Sequence, residues 1–249
     1  MNNQEIGNQV IKVKSIDSTN NYAAKLLNQT KVPFGTVIMA HYQTNGKGQR
    51  NTIWSSNSGD NLLMSVLLDL SFMPSEKIFF LSKSIALAIR AAVVDVIGIE
   101  SHLKWPNDVL IDNKKIAGVL IENQWNKSKI VSSVVGVGLN VNQVDFQESF
   151  SATSLKKITN KNYNVDNILK VLCKKLNKYY NQLASLNFDN IDIEYHQHLV
   201  NYNKFCEFEE NNIVFNAKVK GVNQQGELML EFTNGDVKSY ELKQITQLL

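Results

Sequence analysis

The spacing of hydrophobic positions over the first two hundred residues predicts strands and helices that alternate along the chain. Apolar residues that alternate with polar ones, or run unbroken for a few positions, predict strands, whereas apolar residues three and four apart predict helices. The expected strands are 9–16, 36–42, 61–70, 102–105, 109–112, 115–122 and 130–141. The expected helices begin near residue 18 and cover 74–96, 165–186 and 190–202, with Gly98 just past the end of the longest one. Residues 144–162 are expected to form a polar connection.

The pattern changes near Phe205, where short strands begin to alternate with turns, and Asn234-Gly235 is a strong signal for a tight hairpin. The two patterns predict an α+β fold, with a mixed β-sheet and flanking helices over residues 1–203 and a small β-barrel over 204–249. Within the first region, a hairpin is expected around Asn113-Lys114. The strand at 130–141 is expected to be exposed and able to pair across a two-fold axis, so a monomer and a homodimer both remain open.

Composition and charge narrow the class of protein without pointing to a function. The chain has 249 residues, 43% of them hydrophobic, and a net charge of +3 from 26 basic and 23 acidic residues. This charge is too small to argue for a nucleic-acid partner. Cys173 and Cys206 match neither a metal-binding spacing nor a disulfide framework. Because the sequence shows neither a signal peptide nor an apolar run of the ~20 residues that a membrane span needs, we expect a cytoplasmic globular protein without a membrane partner.

A long polar segment, residues 41–61, separates two of the predicted strands. Connections between strands are commonly about two to five residues long, so a segment of this length requires an explanation. Gly46 and Gly48 allow backbone N–H groups to close on an anion, and Lys47 and Arg50 add positive charge. The segment is either an ordinary surface loop or a lid that binds an anion, and its length favours the lid.

Residues 103–123 bring lysines, an amide and a carboxylate toward one edge of the predicted sheet. Lys104 and Asn107 flank a Trp-Pro pair, Asp108 stands at the start of a strand, and the hairpin returns Lys115 near that start. Such a set suits phosphate oxygens, with a divalent cation on Asp108. The alternative is a surface hairpin with solvated lysines.

Two further segments predict a pocket for a flat polar ligand. Glycines 136 and 138 share one strand face with the amide of residue 140, and two glycines on one face leave space beside that amide. The Ser-Thr-Asn segment at 18–20 offers three hydrogen-bonding side chains at a helix N-terminus, which suits a carbonyl or ureido group. The alternatives, a sheet crossing for the first segment and a plain helix cap for the second, remain open.

Five short motifs carry a resemblance to a known family. They are Ser-Thr-Asn at 18–20, Tyr-Gln-Thr at 42–44 with Gly-Lys-Gly-Gln-Arg at 46–50 and Trp54, Lys-Trp-Pro-Asn-Asp at 104–108, Lys-Lys-Ile-Ala-Gly at 114–118, and Gly-Val-Gly-Leu-Asn at 136–140. In this order and at these spacings, the chain resembles the biotin protein ligases. The resemblance implies a class II synthetase-like catalytic fold, an SH3-like C-terminal barrel, and a ligase that makes biotinyl-5′-AMP from biotin and ATP.

The resemblance also implies roles for individual residues, with ATP and Mg²⁺ as cofactors and biotin as substrate. Lys115 is the implied catalytic residue, and Asp108 is the implied Mg²⁺ ligand. The residues implied to bind biotin are Ser18, Thr19, Asn20, Gln43, Gly46, Lys47, Gly48, Gln49, Lys115 and Gly118. The residues implied to bind ATP are Lys47, Gln49, Arg50, Trp54, Lys104, Asn107, Asp108 and Asn140.

The implied macromolecular partner is the biotin carboxyl carrier domain of acetyl-CoA carboxylase or a related carboxylase, which receives biotin on a lysine. Some members of the family carry an N-terminal helix-turn-helix domain that represses biotin genes. Because the first expected strand begins near residue 9, we expect no such domain and no repressor function.

The loop departs from the family's commonest pattern at four positions, which are Lys47, Gln49 and Thr52 in place of arginine and Asn51 in place of glycine. Lysine keeps the charge of arginine but loses its bidentate fork, so we expect a difference in how tightly the lid retains the adenylate.

Three alternatives to a biotin ligase are a lipoate protein ligase, a non-catalytic biotin or nucleotide sensor, and an RNA-binding module suggested by the C-terminal barrel. The sequence beyond Phe205 shows no stripe of basic residues, which argues against the RNA-binding module.

Overall fold

The large sheet contains seven strands within the described residues, which in this computed structural model are 5–29, 32–49, 52–147 and 151–248. The strands are β1 (Val10–Ile16), β2 (Val37–Gln43), β3 (Leu62–Asp69), β4 (His102–Lys104), β5 (Asp108–Ile111), β6 (Lys114–Asn126) and β7 (Lys129–Leu139). Their order is β1-β2-β3-β7-β6-β5-β4. The β1–β2 pair is parallel and the other pairs are antiparallel, so the sheet is mixed as predicted.

Helices cover both faces of this sheet. They are α1 (Thr19–Gln29), α2 (Phe79–Ile97), α3 (Leu155–Thr159), α4 (Val165–Ala184) and α5 (Phe188–His198). Neighbouring residues of β3 point to opposite faces: Val66 and Leu68 join the main core with α2 and α4, whereas Leu67 packs with Ala23 of α1. No helix in the described residues is long and apolar enough to cross a membrane.

The longest predicted helix begins later than expected. Pro74 is extended, with ψ at 129°, and a 3₁₀ turn over Ser75–Lys77 precedes α2. The prediction of one helix from residue 74 is therefore wrong at its N-terminus, because the chain first forms the tighter i→i+3 hydrogen bonds of that turn. The C-terminus agrees with the prediction, since Gly98 adopts the left-handed conformation (φ 69°) that ends many helices.

The hairpin between β5 and β6 turns one residue earlier than predicted. Asp112 and Asn113 both have positive φ, 47° and 59°, and β6 begins at Lys114. A two-residue turn of this kind needs positive φ at both central positions, which Asp and Asn tolerate better than Lys. The turn was therefore misplaced, but the hairpin itself is confirmed.

The strand expected to be exposed lies inside the sheet. β7 pairs with β3 along one side and with β6 along the other. The expectation that residues 130–141 pair across a two-fold axis is wrong, because both rows of backbone hydrogen-bonding groups already have partners within the chain.

The connection predicted over 144–162 contains the short helix α3. The side chain of Ser154 accepts a hydrogen bond from the Lys157 N–H at 3.1 Å, and Asn160 ends the helix in the left-handed conformation. The prediction missed this helix because a five-residue helix is too short for apolar periodicity to reveal it.

A second, antiparallel sheet forms the C-terminal region. Its strands are β8 (Phe205–Glu210), β9 (Ile213–Val222), β10 (Leu228–Glu231), β11 (Val237–Tyr240) and β12 (Thr246–Gln247), in the order β11-β10-β9-β8-β12. The Asn234-Gly235 hairpin is confirmed, since Gly235 has a φ of 89° between β10 and β11. Phe208 and Leu230 belong to the same core cluster as α2 and β3, so the division of the chain after residue 203 stays a prediction.

Candidate active site

A cavity of about 550 Å³ lies over β6 and β7, between the N-terminus of α1 and the loop that follows β2. The loop folds back on itself, because Lys47 and Ile53 form an antiparallel bridge and the Trp54 N–H donates to the Gly46 carbonyl at 2.9 Å. A Cβ on Gly46 would lie 2.4 Å from the Trp54 carbonyl oxygen. Glycine is therefore required for this close approach, which sets Trp54 at the cavity.

Two glycines form the floor beneath the Trp54 ring. Gly118 of β6 and Gly138 of β7 are directly paired, and a Cβ would lie 3.0 Å from the ring at Gly118 and 2.4 Å from it at Gly138. The Trp54 Nε1 is buried without a hydrogen-bond partner among the described residues. An unpaired buried donor costs about 1–3 kcal/mol, which a polar group of a ligand can offset.

Lys115 places a cation beside this ring. Its Nζ lies 5.5 Å from the centre of the Trp54 ring and 2.6 Å from Asp108 Oδ1. The contact with Asp108 is an ion pair rather than an aligned hydrogen bond, because that oxygen has no partner of hydrogen-bond geometry. A Cβ on Gly118 would lie 3.0 Å from Lys115 Cε, so the glycine makes room for the lysine as well as for the indole.

Lys104 lies near this pair but does not line the cavity. Its Nζ donates to the Gln247 carbonyl of β12 at 3.4 Å. Burial lowers the pKa of Lys104, and Lys115 lowers that pKa further, whereas Asp108 raises it. The two lysines and the carboxylate thus converge as the sequence predicted, with Lys104 turned toward the C-terminal sheet.

The opposite end of the cavity is a buried, neutral network at the N-terminus of α1. Gln43 Oε1 accepts from the Thr19 N–H at 2.7 Å, and Ser65 Oγ lies 2.7 Å from Thr19 Oγ1 and 2.6 Å from Asn20 Oδ1. The side chain of Asn20 lies directly over Gly136, where a Cβ would be 2.3 Å from Oδ1. Ser18, Thr19 and Asn20 are all at most 4% exposed, so the wall is ordered by packing.

Glu122 of β6 extends this network and was missed from the sequence. Asn20 Nδ2 donates to Glu122 Oε2 at 2.7 Å, and Lys47 Nζ lies 3.9 Å from Glu122 Oε1. The available signal was the period of two in a strand, which puts Gly118, Leu120 and Glu122 on one face. Ser65 was missed for a similar reason, since one serine inside an apolar strand carries no functional signal.

The two asparagines predicted at the ATP site have structural partners. Asn107 Nδ2 donates to the Val119 carbonyl at 2.6 Å, and Asn140 Nδ2 donates to the Thr153 carbonyl at 3.0 Å. Both residues line the cavity. Their amides therefore hold the middle of β6 and the segment before α3 in place around the cavity.

Most of the predicted site residues line one cavity. They are Ser18, Thr19, Asn20, Gln43, Lys47, Gly48, Gln49, Trp54, Asn107, Lys115, Gly118 and Asn140. Gly46, Lys104 and Asp108 lie behind this lining, and Arg50 and Asn51 lie outside the described residues. Lys243, from the segment between β11 and β12, also lines the cavity, although sequence reasoning gave it no role.

Comparison with known proteins assigns the chain to a family. The model of the biotin/lipoate A/B protein ligase family matches residues 12–140, just over half of the chain, so the chain belongs to that family. Within it, the predicted resemblance to biotin protein ligases and the expectation of a biotin ligase enzyme are both confirmed.

Individual relatives support this classification. The bifunctional ligase/repressor BirA of Bacillus subtilis is 29% identical over 239 residues, which are 94% of this chain and 73% of the relative. The biotin–[acetyl-CoA-carboxylase] ligase of Mycobacterium tuberculosis is 36% identical over 124 residues, 49% of this chain and 45% of that one. The structure of the Aquifex aeolicus biotin protein ligase in complex with biotin and ATP is 25% identical, with a TM-score of 0.80 over 97% of this chain and 99% of the other. The predicted fold class is thereby confirmed.

Proposed function

We propose that this chain activates biotin with ATP as biotinyl-5′-AMP and then transfers biotin to a lysine of a biotin carboxyl carrier domain. One observation carries the proposal: a neutral network of hydroxyls and amides and a charged Lys115–Asp108 pair occupy opposite ends of one cavity. The first end suits the ureido ring of biotin, and the second suits the carboxylate and the phosphates.

In the first step, a carboxylate oxygen of biotin attacks the α-phosphorus of ATP, and pyrophosphate leaves. Both reactants are anionic, so a cation must offset their repulsion as charge moves onto the leaving group. Lys115 supplies that charge from a defined position, since Asp108 and the Trp54 ring hold its ammonium group in the free enzyme. Correct placement of the two reactants contributes the rest of the rate acceleration.

In the second step, the neutral ε-amine of the acceptor lysine attacks the acyl carbon of the mixed anhydride, and AMP leaves. Water would compete with that amine, so the loop over the cavity has to exclude it. Residues 47–49 and 52–54 of this loop, joined by the Lys47–Ile53 bridge, line the cavity. The departures at Gln49 and Thr52 leave the loop with fewer cations to hold the adenylate, and Lys47 keeps its charge without the bidentate fork of arginine.

The residues present are compatible with Mg²⁺, which would neutralise phosphate charge when bound. Asp108 offers a carboxylate that is 22% exposed beside the phosphate end of the cavity. The described residues contain no cluster of three or more His, Cys, Asp or Glu side chains. A single carboxylate is sufficient here, because Mg²⁺ is commonly held by one or two carboxylates together with substrate phosphates and waters.

The direct test is biotin transfer to a carrier domain of acetyl-CoA carboxylase, an acceptor chosen because the Mycobacterium tuberculosis relative is named for that activity. The expected result is an ATP-dependent mass increase of one biotin on the acceptor. Biotin-dependent ATP–pyrophosphate exchange without transfer would mean that the acceptor was wrong. Activity with lipoate in place of biotin would favour the lipoate ligase, and biotin binding without either reaction would favour the sensor.

The absence of a repressor function stays a prediction. The Bacillus subtilis relative is named as both ligase and repressor, so the question requires its own measurement. We expect no sequence-specific shift of operator DNA by the purified chain. Binding that prefers an operator over random duplex at physiological salt would contradict this.

A further inference from the structure

Glu122 is a charged residue that contacts Asn20 in the buried wall of the cavity. It lies on β6 two residues beyond Leu120, and its side chain is 43% exposed. One of its carboxylate oxygens accepts from Asn20, which is 2% exposed, and the other faces Lys47 of the loop. Glu122 therefore connects the wall of the cavity to the loop that covers it.

The carboxylate determines which way the Asn20 amide points. An ionised carboxylate only accepts hydrogen bonds, so the amide must present its NH₂ group to Glu122. The same NH₂ group lies 3.4 Å from the Leu120 carbonyl, which is also only an acceptor. Asn20 Oδ1 is consequently directed toward Ser65, at 2.6 Å.

This orientation sets the direction of the neighbouring hydroxyls. Because Asn20 Oδ1 only accepts, Ser65 uses its single hydroxyl hydrogen on Asn20. The single hydrogen of Thr19 Oγ1 then has two acceptors inside the wall, Ser65 Oγ at 2.7 Å and Gln43 Oε1 at 3.0 Å, and Gln43 Oε1 also accepts the Thr19 N–H. Since either contact uses that hydrogen, Thr19 Oγ1 is left with a lone pair for an N–H donor in the cavity that it lines.

We propose that Glu122 is a positioning residue that makes this wall selective for a cyclic urea, and the proposal rests on the biotin ligase function proposed above. Its carboxylate orients Asn20, and through Asn20 the Ser65–Thr19 pair, so that the wall accepts the N–H groups of the ring. Its contact with Lys47 is a weaker, solvent-screened tie to the loop, since both partners are about 40% exposed.

The test is the affinity for biotin and for ATP, measured separately by calorimetry on the whole chain. Glu122→Ala should weaken biotin binding at least tenfold, about 1.4 kcal/mol, and leave ATP binding within twofold. Glu122→Gln should stay within threefold of wild type, because a glutamine oxygen can still accept from Asn20.

Controls separate this role from a general structural one. Asn126→Ala changes an exposed side chain at the C-terminal end of β6 and should change neither affinity. If the alanine variant is unstable, Glu122→Thr suits a strand and also removes the carboxylate. Wild-type biotin binding that persists within twofold in the alanine variant, or an equal loss of biotin and ATP binding, overturns the proposal for Glu122 alone. A wild-type protein that binds no biotin overturns the proposed function as well.

Discussion

The two ends of the cavity differ in how they hold their polar groups. At the α1 end, Thr19, Asn20 and Ser65 are buried, neutral and hydrogen-bonded to one another. At the other end, Lys115 and Asp108 are charged and partly exposed, 35% and 22%, and their contact is an ion pair. A neutral ring can be bound by a wall that is complete beforehand, whereas anionic phosphates need charges that can exchange one partner for another.

The charged end gives the largest expected effect. Lys115→Ala should slow adenylate formation at least 100-fold, about 2.7 kcal/mol of barrier, because the cation between two anionic reactants is lost. Biotin binding without ATP should change much less. Biotin-dependent ATP–pyrophosphate exchange measures the step, and Lys114→Ala, the exposed neighbour on the same strand, is the matched control. A rate for Lys115→Ala within threefold of wild type would refute the assigned role.

Two glycines on one strand face offer a reciprocal test of the two ends. Gly136→Ala places a Cβ 2.3 Å from Asn20 Oδ1, and Gly138→Ala places one 2.4 Å from the Trp54 ring. The first should weaken biotin binding about tenfold and the second should weaken ATP binding by a similar factor, since overpacking costs about 1–3 kcal/mol. Each variant is the control for the other. Equal losses of both ligands in either variant would show that the ends are not separate.

Ionic strength should have a smaller effect on ligand affinity, and this effect should differ between the two ends of the cavity. Raising NaCl from about 50 to about 500 mM shortens the screening length, so the affinity for ATP at the charged end should fall about threefold or more. Biotin affinity should fall by a smaller factor, about 1.5-fold, because its ring meets a buried wall and only its carboxylate meets the charged end. Calorimetric titrations in matched buffers measure both. A strong salt dependence of biotin binding would mean that the carboxylate end dominates its recognition.

A charged pair outside the cavity, Lys83 and Asp192, allows a similar test on the stability of the fold. Lys83 is 1% exposed and its Nζ lies 2.5 Å from Asp192 Oδ1 and 3.0 Å from the Val222 carbonyl of β9. Hydrogen bonds from His196 and Lys83 outweigh burial and lower the pKa of Asp192 to about 2.

Because this pKa is lowered in the folded state, the stabilisation is complete above the ordinary value of 3.8 and is lost as the pH falls toward 2. We expect the free energy of unfolding to fall over that range, and Asp192→Asn to flatten the fall. Denaturant titrations from pH 5 to pH 2 measure it. An equally steep fall in the variant would assign the acid sensitivity to other carboxylates.

Several features of the site followed from local chemistry. The period of two in a strand put Gly136, Gly138 and Asn140 on one face, and the structure has that face at the cavity. Gly98 and Asn234-Gly235 marked a helix end and a hairpin, because left-handed backbone conformations select these residue types. Trp105, of the Trp-Pro pair beside Lys104, is a core residue that is 9% exposed, and its Nε1–H donates to the Gly226 carbonyl at 2.8 Å.

The sequence by itself determined most of the elements, the family and most of the residues around the cavity, since these depend on short spacings and on side-chain chemistry. Only the tertiary structure decided which distant segments meet. It placed β7 between two partners, turned Lys104 toward Gln247, and brought Glu122 to Asn20, 102 positions away. No local pattern encodes such contacts, because they arise when hydrophobic burial brings whole strands and helices together, and the polar partners of a buried site follow from that packing.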